Sequence, residues 1–555
     1  MSLRAGLGRA EITVYEHGTC MLGWGQPENL ALGVAMPLAA RALVLEDPAG
    51  QRFVYACAEL CFISQHLRSE VLARLARHGI GEHDLMLTAT HTHSAPSGYS
   101  AAFFYALAGP GYSQRVVDGL VRGIVRAIEQ ALARLEPAQL HLHRAQVPLT
   151  TPISFNRSVA AYNCNADVEP IAESQPERAT DRTLTVLRID AESGAPRGLL
   201  CWFPVHGTCI HADNTKLHPD NKGIAARECE AWVNAGHSGN FVAIFAQEAA
   251  GDVSPNFRWS AERGLMRGVY DDDFDSAAFV GHAQAKVAHE VWREAPALGQ
   301  RVYGPLQSRV RYEDFSRLTA APEFADGEAG RTTAPACLGV GFAYGTSEGP
   351  GPAFWLRAYG RTLACLARRQ TEAWREAHRP KLAFLDLGHG ERGRLLSVLP
   401  SRALGLLAPL AALGPQLSYY RSVLASGVLC ERSWVPQLLP LQIVRMGALV
   451  LVGVPVEPTT VAGRRMRAAV GRALTADTIL INGYANSYSS YVTTHEEYEL
   501  QCYEGASTLF GRWTLAAYCT QLYALARELD VRPVLSESPV RLPRAELPPS
   551  VYALA

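Results

Sequence analysis

Five short apolar runs, each followed by a polar turn, constrain the fold of this chain more than any other feature of its sequence. The runs are "HDLMLTAT" from His83, "GLLCWFPV" from Gly198, "NFVAIFAQEAAGD" from Asn240, "GALVLVGVPV" from Gly447 and "TILINGYANSY" from Thr478. Their apolar segments are short and nearly continuous, which is typical of strands that are buried on both faces. The sequence therefore predicts a sheet that is covered on each side.

Helix-like segments lie between several of these runs, and they decide the fold class. Apolar residues recur at helical spacing over Gln65–His78, Gln114–Leu135 and Val461–Leu474. Alternation of such helices with buried strands indicates an α/β protein. We expect a large single domain with mixed or parallel β-sheets that are covered by helices.

Polar side chains follow the predicted strands at or just beyond their carboxyl ends. These residues are His91, His206, Ser254, Glu457 and Tyr491. In open α/β sheets, ligands bind outside this edge. One such coincidence carries little weight, but five of them predict a functional site at the strand ends.

Histidines are the first candidates for that site. His91 and His93 stand two residues apart in "LTATHTHSAPSGYS", so their side chains point the same way if the backbone there is extended. A pair of hydrogen-bonded loop histidines would give the same pattern. His206 follows directly after the second apolar run, and that position favours it over the nearby alternatives His211 and His218.

Glu457 completes a set of possible metal ligands. A carboxylate at the end of the very apolar run "VLVGVPV" would be costly to bury without a partner. Two neutral imidazoles and a carboxylate, with one position open, form a common catalytic zinc site. The alternative is that Glu457 only begins the helix predicted over "EPTTVAGRRMR" and interacts with its dipole.

Three further features carry less specific signals. Ser254 lies in the polar turn "AAGDVSPNFRW", without the GxSxG motif of α/β-hydrolases, so it is either a nucleophile, a hydrogen-bonding partner of the substrate or a plain turn residue. Arg157 suits an oxyanion or a carboxylate, although a surface ion pair is the ordinary role of a single arginine. Five tyrosines lie between residues 484 and 503. A phenol can bind zinc or stabilise an oxyanion, but most of these rings are expected to serve packing.

Charge and hydropathy exclude some classes of function. Lys and Arg number 52 and Asp and Glu number 53, which gives a net charge of −1 and no basic field for nucleic acid. No apolar run is long enough for a transmembrane helix, and the N-terminal residues do not resemble a secretion signal. From the sequence alone we expect a cytoplasmic protein.

Several rare motifs occur in one order along the chain. They are "THTHSAPSGY", "FNRS", "WFPVHGT", "DNKGIAA", "GDVSPN", "LGVGFAYGTSEGPG", "VPVEPTTVAGRRMR" and "YSSYVTTHEEYELQCYEGASTLFG". Together they resemble the neutral/alkaline (non-lysosomal) ceramidase family, from about residue 5 to about residue 525.

This resemblance implies a zinc-dependent amidohydrolase that cleaves the N-acyl amide of ceramide or a related lipid into an amine and a fatty acid. Matching the motifs residue by residue implies four zinc ligands, namely His91, His206, Glu457 and Tyr491. It also implies that the scissile amide is surrounded by four catalytic residues, namely His93, Arg157, Ser254 and Tyr503. Arg157 or Tyr503 would support the oxyanion, and His93 would transfer the proton.

The family pattern also sets expectations about domains and partners. Family members are secreted or membrane-associated and often carry a C-terminal immunoglobulin-like domain, for which too few residues follow "STLFG". We expect a ceramidase-like catalytic domain over residues 1–530 and an extension over residues 531–555. An N-acyl lipid is the expected substrate, and a peripheral membrane contact is compatible with it.

An apolar insert over residues 396–434 distinguishes this sequence. We expect the part from Leu396 to Leu424 to shape the mouth of the pocket, whereas a core helix or an oligomer contact is the alternative. The departures from the family leave two rival functions open. One is a zinc amidase or esterase that acts on a substrate other than ceramide, and the other is a non-catalytic lipid-binding protein.

Overall fold

Nearly continuous apolar strands need apolar partners on both faces, and the structure provides them by stacking two sheets between layers of helices. The computed structural model describes residues 3–26, 28–106, 111–236, 240–351, 372–388 and 433–531.

The larger sheet has nine strands in the order β14-β12-β11-β9-β1-β5-β6-β7, and β18 also pairs with β9. Only the β6–β7 and β12–β14 pairs are parallel; the others are antiparallel. Its strands are β1 (Arg4–Glu11), β5 (Ala39–Glu46), β6 (Arg52–Ala58), β7 (Leu85–Ala89), β9 (Glu136–Gln146), β11 (Thr183–Ala191), β12 (Pro196–Trp202), β14 (Val242–Ala246) and β18 (Gln300–Val302).

The smaller sheet has four strands in the order β19-β24-β25-β27, of which only β25 and β27 are parallel. These strands are β19 (Leu306–Asp314), β24 (Leu438–Met446), β25 (Leu449–Gly453) and β27 (Thr478–Asn482).

Short strands, mostly of two or three residues, pair with one another in the loops outside the two sheets. They are β2 (Thr19–Leu22), β3 (Leu30–Ala31), β4 (Gly33–Val34), β8 (Ala95–Pro96), β10 (Phe155–Asn156), β13 (Lys216–Leu217), β15 (Val253–Ser254), β16 (Arg258–Ser260), β17 (Leu265–Arg267), β20 (Cys337–Gly339), β21 (Gly345–Thr346), β22 (Gly349–Pro350), β23 (Ala383–Asp386), β26 (Glu457–Pro458) and β28 (Tyr491–Val492).

Helices cover the two sheets. The α-helices are α1 (Gln65–Leu75), α2 (Phe103–Ala106), α3 (Gln114–Ala133), α4 (Val159–Tyr162), α5 (Asp220–Asn234), α6 (Asp273–Leu298), α7 (Val340–Tyr344), α8 (Glu372–His378), α9 (Thr460–Gly471), α10 (His495–Leu500), α11 (Tyr503–Ser507) and α12 (Thr514–Val531). Single 3-10 turns occur at Ala76–His78, Pro176–Ala179 and Pro322–Phe324.

Alternate residues of one strand face different layers of the core. On β5, Leu43 and Leu45 belong to the core between the two sheets, together with Leu449 of β25. Val44, which lies between them, belongs to the core that includes Val121 of α3. The period of two along a strand thus explains why nearly every residue in these runs is apolar.

The larger sheet curls so that its two edge regions meet. The thiol of Cys57 on β6 donates a hydrogen bond to the carbonyl of Phe245 on β14 (3.7 Å). Beyond the strand ends, Thr92 and Gly207 form a parallel bridge, and the backbone N–H of His93 donates to the Gly207 carbonyl (3.2 Å). The segments after β7 and β12 therefore run side by side.

The predicted α/β class, with mixed sheets covered by helices, is confirmed. Each of the five apolar runs contains a strand (β7, β12, β14, β25 and β27), and the three predicted helices correspond to α1, α3 and α9. None of the helices within the described ranges is long and apolar enough to span a membrane. The predicted insert, apart from Ser433 and Trp434, and nearly all of the extension at 531–555 lie outside the described residues, so the domain boundary and the role of Leu396–Leu424 stay predictions.

Candidate metal centre and active site

The turn after β7 places His91 in the interior, where one of its ring nitrogens is hydrogen-bonded to the backbone. His91 is buried, and its backbone has φ +68°, a left-handed conformation that costs a non-glycine residue energy and is enriched at functional sites. Its Nδ1 lies 2.6 Å from the carbonyl of Cys61. Because a carbonyl can only accept, Nδ1 carries a hydrogen, and Nε2 is the ring nitrogen that can bind a metal once its own proton is released.

His206, which follows β12, is oriented in the same way. Its Nδ1 donates to the carbonyl of Val253 (3.0 Å), and its buried Nε2 has no hydrogen-bond partner among the described residues. A buried polar atom without a partner is uncommon and requires an explanation. Backbone hydrogen bonds that orient a histidine in this way are typical of metal ligands.

The alternatives His211 and His218 are engaged elsewhere. His211 contacts Asp273 through Nδ1 (3.1 Å) and the Met266 carbonyl through Nε2 (3.0 Å). The Nδ1 of His218 accepts the backbone N–H of Asp220 (3.0 Å). The structure therefore favours His206, as the sequence did.

Glu457 faces both imidazoles from the end of the smaller sheet. Its Oε2 lies 3.3 Å from His91 Nε2 and 3.2 Å from His206 Nε2. Helix α9 begins three residues later with Thr459 as its N-cap, so Glu457 is not merely the first residue of a helix. Burial opposes ionisation of Glu457, but the two imidazoles outweigh it and hold the pKa of the carboxyl well below its usual value.

Two phenols donate hydrogen bonds to the Glu457 carboxylate. Tyr484 donates to Oε2 (3.1 Å), and Tyr488 donates to Oε1. Sequence reasoning saw these rings only as members of a tyrosine cluster, because nothing in the local sequence indicates which carboxylate a phenol will reach.

These three side chains form a candidate metal site. The ligand atoms of His91, His206 and Glu457 all lie within 4.8 Å of one another. Two neutral imidazoles and a carboxylate are the ligand types found in catalytic zinc sites. A second group, formed by Cys61, His91 and His93, is less suitable, because it places Cys61 Sγ beside the His91 Nδ1 that already donates a hydrogen bond (3.8 Å).

Tyr491 lies next to this group. It is on β28, in register with Glu457 on β26, and its hydroxyl accepts a hydrogen bond from Arg157 Nη2 (3.2 Å). Burial raises the pKa of Tyr491 well above its ordinary value, although Arg157 opposes this increase. The position is compatible with the predicted fourth ligand, which remains a prediction.

His93 is buried and lies beside the same group. Its Nε2 lies 3.2 Å from His91 Nε2, and its ring packs edge-on against Trp24 with ring centres 5.0 Å apart. Burial, together with the neighbouring His91 and His206, lowers the pKa of His93 well below its usual value. The imidazole is therefore neutral at physiological pH and has one unprotonated ring nitrogen, which a general base requires.

Arg157 is held by several partners rather than free to meet a charged ligand. It donates from Nη1 to Glu348 (2.9 Å), from Nε to Glu504 (2.7 Å) and from Nη2 to both the Gly251 carbonyl (2.9 Å) and Tyr491. The positive charge of the guanidinium is thus opposed by two buried carboxylates. The surface ion pair considered from the sequence does not occur, since Arg157 is about 5% exposed.

Ser254 is buried on β15 beside Arg157, because β10 and β15 pair and place Phe155 opposite Ser254. Its hydroxyl donates to Glu348 Oε1 (2.7 Å) and accepts the backbone N–H of Asn256 (2.8 Å). The sequence motif that contains Glu348 was noted, but the role of this carboxylate was missed.

Tyr503, at the start of α11, completes the predicted set. Its ring stacks on Phe342, packs edge-on against Tyr491 and lies 5.6 Å from the Arg157 guanidinium. Burial raises the pKa of Tyr503, so the phenol stays protonated at neutral pH and can donate a hydrogen bond. All eight predicted site residues therefore lie in one connected region.

Comparison with known proteins gives one consistent result. The family model of the neutral/alkaline non-lysosomal ceramidases, N-terminal part, matches residues 3–396 and 420–520. The chain is 37% identical to the neutral ceramidase of Pseudomonas aeruginosa, over 93% of this chain and 70% of that protein. It is 33% identical to the neutral ceramidase of Mycobacterium tuberculosis, over 96% and 78% respectively.

Two solved structures have the same fold. A structure described as ceramidase complexed with C2 superimposes with a TM-score of 0.80 at 34% identity, covering 97% of this chain and 77% of that chain. The crystal structure of neutral ceramidase from P. aeruginosa gives 0.77 at 33% identity, with coverage of 97% and 76%.

Proposed function

The chain belongs to the neutral/alkaline non-lysosomal ceramidase family, and from this premise we propose that it is a zinc-dependent amidohydrolase that cleaves the N-acyl amide of ceramide or a closely related N-acylated lipid. The products would be a fatty acid and a sphingoid amine. The observation that best supports this proposal is the convergence of the His91, His206 and Glu457 ligand atoms at the ends of strands from both sheets.

We propose that His91, His206, Glu457 and Tyr491 hold the zinc ion. When bound, zinc supplies Lewis acidity, which polarises an amide carbonyl and activates water at neutral pH. His91 must be neutral to bind the metal. Burial lowers its pKa, but Glu457 outweighs this effect and raises it to about 10, so metal binding should release the proton of His91.

The remaining residues would handle charge and protons. His93 is neutral and close to His91, so it can accept the proton of the attacking water and deliver it to the departing amine. The protonated phenol of Tyr503 would donate to the oxyanion that develops on the carbonyl oxygen. A preorganised donor of this kind contributes roughly 3–4 kcal/mol to transition-state stabilisation.

Arg157 would act mainly on its protein neighbours. Four of its hydrogen bonds go to Glu348, Glu504, the Gly251 carbonyl and Tyr491. Donation to the Tyr491 hydroxyl favours a phenolate and would therefore support its use as a ligand. Oxyanion stabilisation is thus assigned to Tyr503, and Arg157 acts on Tyr491.

A comparison of substrates tests the proposed function. Purified protein would be incubated with N-acylsphingosines and, separately, with N-acyl amino acids of the same acyl chain, and the products would be identified by mass spectrometry. We expect equal amounts of fatty acid and sphingosine from the first series. His206→Ala should abolish this release. His289→Ala is the matched control and should preserve it, because His289 lies on α6, where its ring packs against Trp292.

Two results would contradict the proposal. Cleavage of N-acyl amino acids alone would indicate an amidase for a different substrate. Binding of lipid with no cleavage of any amide by zinc-loaded protein would indicate a non-catalytic lipid-binding protein.

A further inference from the structure

Glu348 forms the central acceptor of a buried network that includes Ser254 and Arg157. It lies in the turn between β21 and β22, and its side chain is about 1% exposed. Three donors meet at its Oε1, namely Ser254 Oγ (2.7 Å), Asn256 Nδ2 (2.8 Å) and Thr208 Oγ1 (2.8 Å). Its Oε2 accepts from Arg157 Nη1 (2.9 Å).

This carboxylate is ionised at neutral pH. Burial opposes ionisation, but the charge of Arg157 and the donors on Oε1 outweigh it and lower the pKa of Glu348 to about 2. An ionised carboxylate only accepts hydrogen bonds. Glu348 Oε1 is also the nearer of the two acceptors of the Ser254 hydroxyl, at 2.7 Å against 3.4 Å for the Asn256 carbonyl, so the hydroxyl hydrogen is directed at Glu348.

The direction of that hydrogen fixes what Ser254 can offer to a bound molecule. One lone pair of its oxygen accepts the backbone N–H of Asn256. With its hydrogen given to Glu348, Ser254 can present only its remaining lone pair to the site. A group that meets Ser254 must then be a donor, such as the N–H of an amide or the O–H of an alcohol.

The other oxygen of Glu348 helps to position Arg157, which in turn donates a hydrogen bond to Tyr491. Glu348 holds Nη1 of Arg157 while Glu504 holds Nε, so two edges of the planar guanidinium are fixed. Its Nη2 then lies 3.2 Å from the Tyr491 hydroxyl. One carboxylate thus links the orientation of Ser254 to that of Arg157 and its phenol partner.

We propose that Glu348 is a positioning residue, which holds Ser254 as a hydrogen-bond acceptor for a donor group of the substrate and holds Arg157 against Tyr491. The role of Ser254 toward the substrate rests on the proposed hydrolytic function. The alignment of Ser254 and Arg157 by Glu348 does not depend on that function.

Glu348→Gln tests the proposal, because it keeps the shape of the side chain and removes the charge. A glutamine amide has one oxygen and one NH2 group, so it cannot accept from Ser254 at one end and from Arg157 at the other. We expect kcat for ceramide to fall about 100-fold, the scale expected for a misplacement of about 1 Å, while zinc content stays at the wild-type level. Glu348→Asp keeps the charge and should restore part of the loss.

A matched control and a double variant separate positioning from a general structural defect. Thr208→Val removes one donor to the same oxygen and leaves Ser254 and Arg157 in place, so kcat should stay within about fivefold of wild type. If Glu348 acts through Ser254, then Glu348→Gln should cost much less in a Ser254→Ala background than in the wild type. An equal loss in both backgrounds would overturn the proposal.

Crystal structures of the wild type and Glu348→Gln provide a readout that does not depend on the substrate. We expect Ser254 Oγ to change rotamer or the Arg157 guanidinium to leave the Tyr491 hydroxyl. Unchanged positions of both side chains would overturn the proposal, even if Ser254→Ala had no measurable turnover or the wild type cleaved no ceramide. A wild type without amidase activity would contradict only the proposed function.

Discussion

Replacement of Tyr488 by phenylalanine tests how the protein prepares Glu457 to bind a metal. Tyr488 donates its hydroxyl hydrogen to Glu457 Oε1, which is the oxygen turned away from the two histidines. Its ring stacks on Phe62 with ring centres 4.2 Å apart, and phenylalanine would keep that packing. The variant therefore removes one hydrogen bond to a buried carboxylate and little else.

The magnitude follows from the charge of the acceptor. A hydrogen bond to an ionised group contributes about 1.5–3 kcal/mol. Each 1.4 kcal/mol corresponds to a factor of about ten in a dissociation constant. We therefore expect Tyr488→Phe to weaken zinc binding by about 10- to 100-fold, which is also the usual cost of losing a partner of a metal ligand. Tyr484 still donates a hydrogen bond to the other oxygen of Glu457 in this variant, so the loss of zinc affinity should not exceed this range.

Competition with a chelator of known affinity measures the dissociation constant directly. Tyr498→Phe is the matched control, because this buried phenol donates to the carbonyl of His378 and not to Glu457. The control should bind zinc like the wild type. A zinc affinity of Tyr488→Phe within threefold of the control would refute the reasoning that the phenol supports the metal ligand.

Three further predictions follow from the same structure. Ser254→Ala should stay folded and zinc-loaded but lose most turnover, and near-normal kcat would reduce Ser254 to a turn residue. Gly23→Ala should lower kcat at least tenfold, because a Cβ there would lie 2.3 Å from His93 Cγ and would displace a proton-transferring imidazole; unchanged kcat would argue against that role. Burial and Asp252 raise the pKa of Glu497 above its unfolded value of about 4.3, so the stability that the neutral carboxyl contributes is present below about pH 4 and is lost as the pH rises through the folded pKa. Glu497→Gln should therefore reduce the difference in Tm between pH 5 and pH 8, and an unchanged difference would contradict this assignment.

The strands and the residues that follow them could be predicted because both depend on local sequence. Nearly continuous apolar runs specified β7, β12 and β25, and a histidine or glutamate just after such a run lies at the strand end where ligands bind in α/β sheets. His91, His206 and Glu457 were found in this way, and the structure places their ligand atoms together.

The partners of these residues could not be predicted because they depend on how distant segments meet. Glu348 is 94 positions from Ser254, and Glu504 is 347 positions from Arg157. Tyr484 and Tyr488 lie among several similar rings, and only the tertiary fold selects the two that reach Glu457. The curl of the larger sheet, which brings the segments after β7 and β12 together, likewise has no local sequence signal.

The central claim is that amide hydrolysis by this chain depends on a zinc ion held by His91, His206 and Glu457. The most direct measurement is the rate of release of a fluorescent fatty acid from N-acylsphingosine by purified protein, before chelation, after chelation and during stepwise return of zinc. We expect the activity to disappear with the metal and to return in proportion to bound zinc, up to one ion per chain, while His91→Ala neither retains zinc nor regains activity. Full turnover by metal-free protein, or stoichiometric zinc in His91→Ala, would contradict this account.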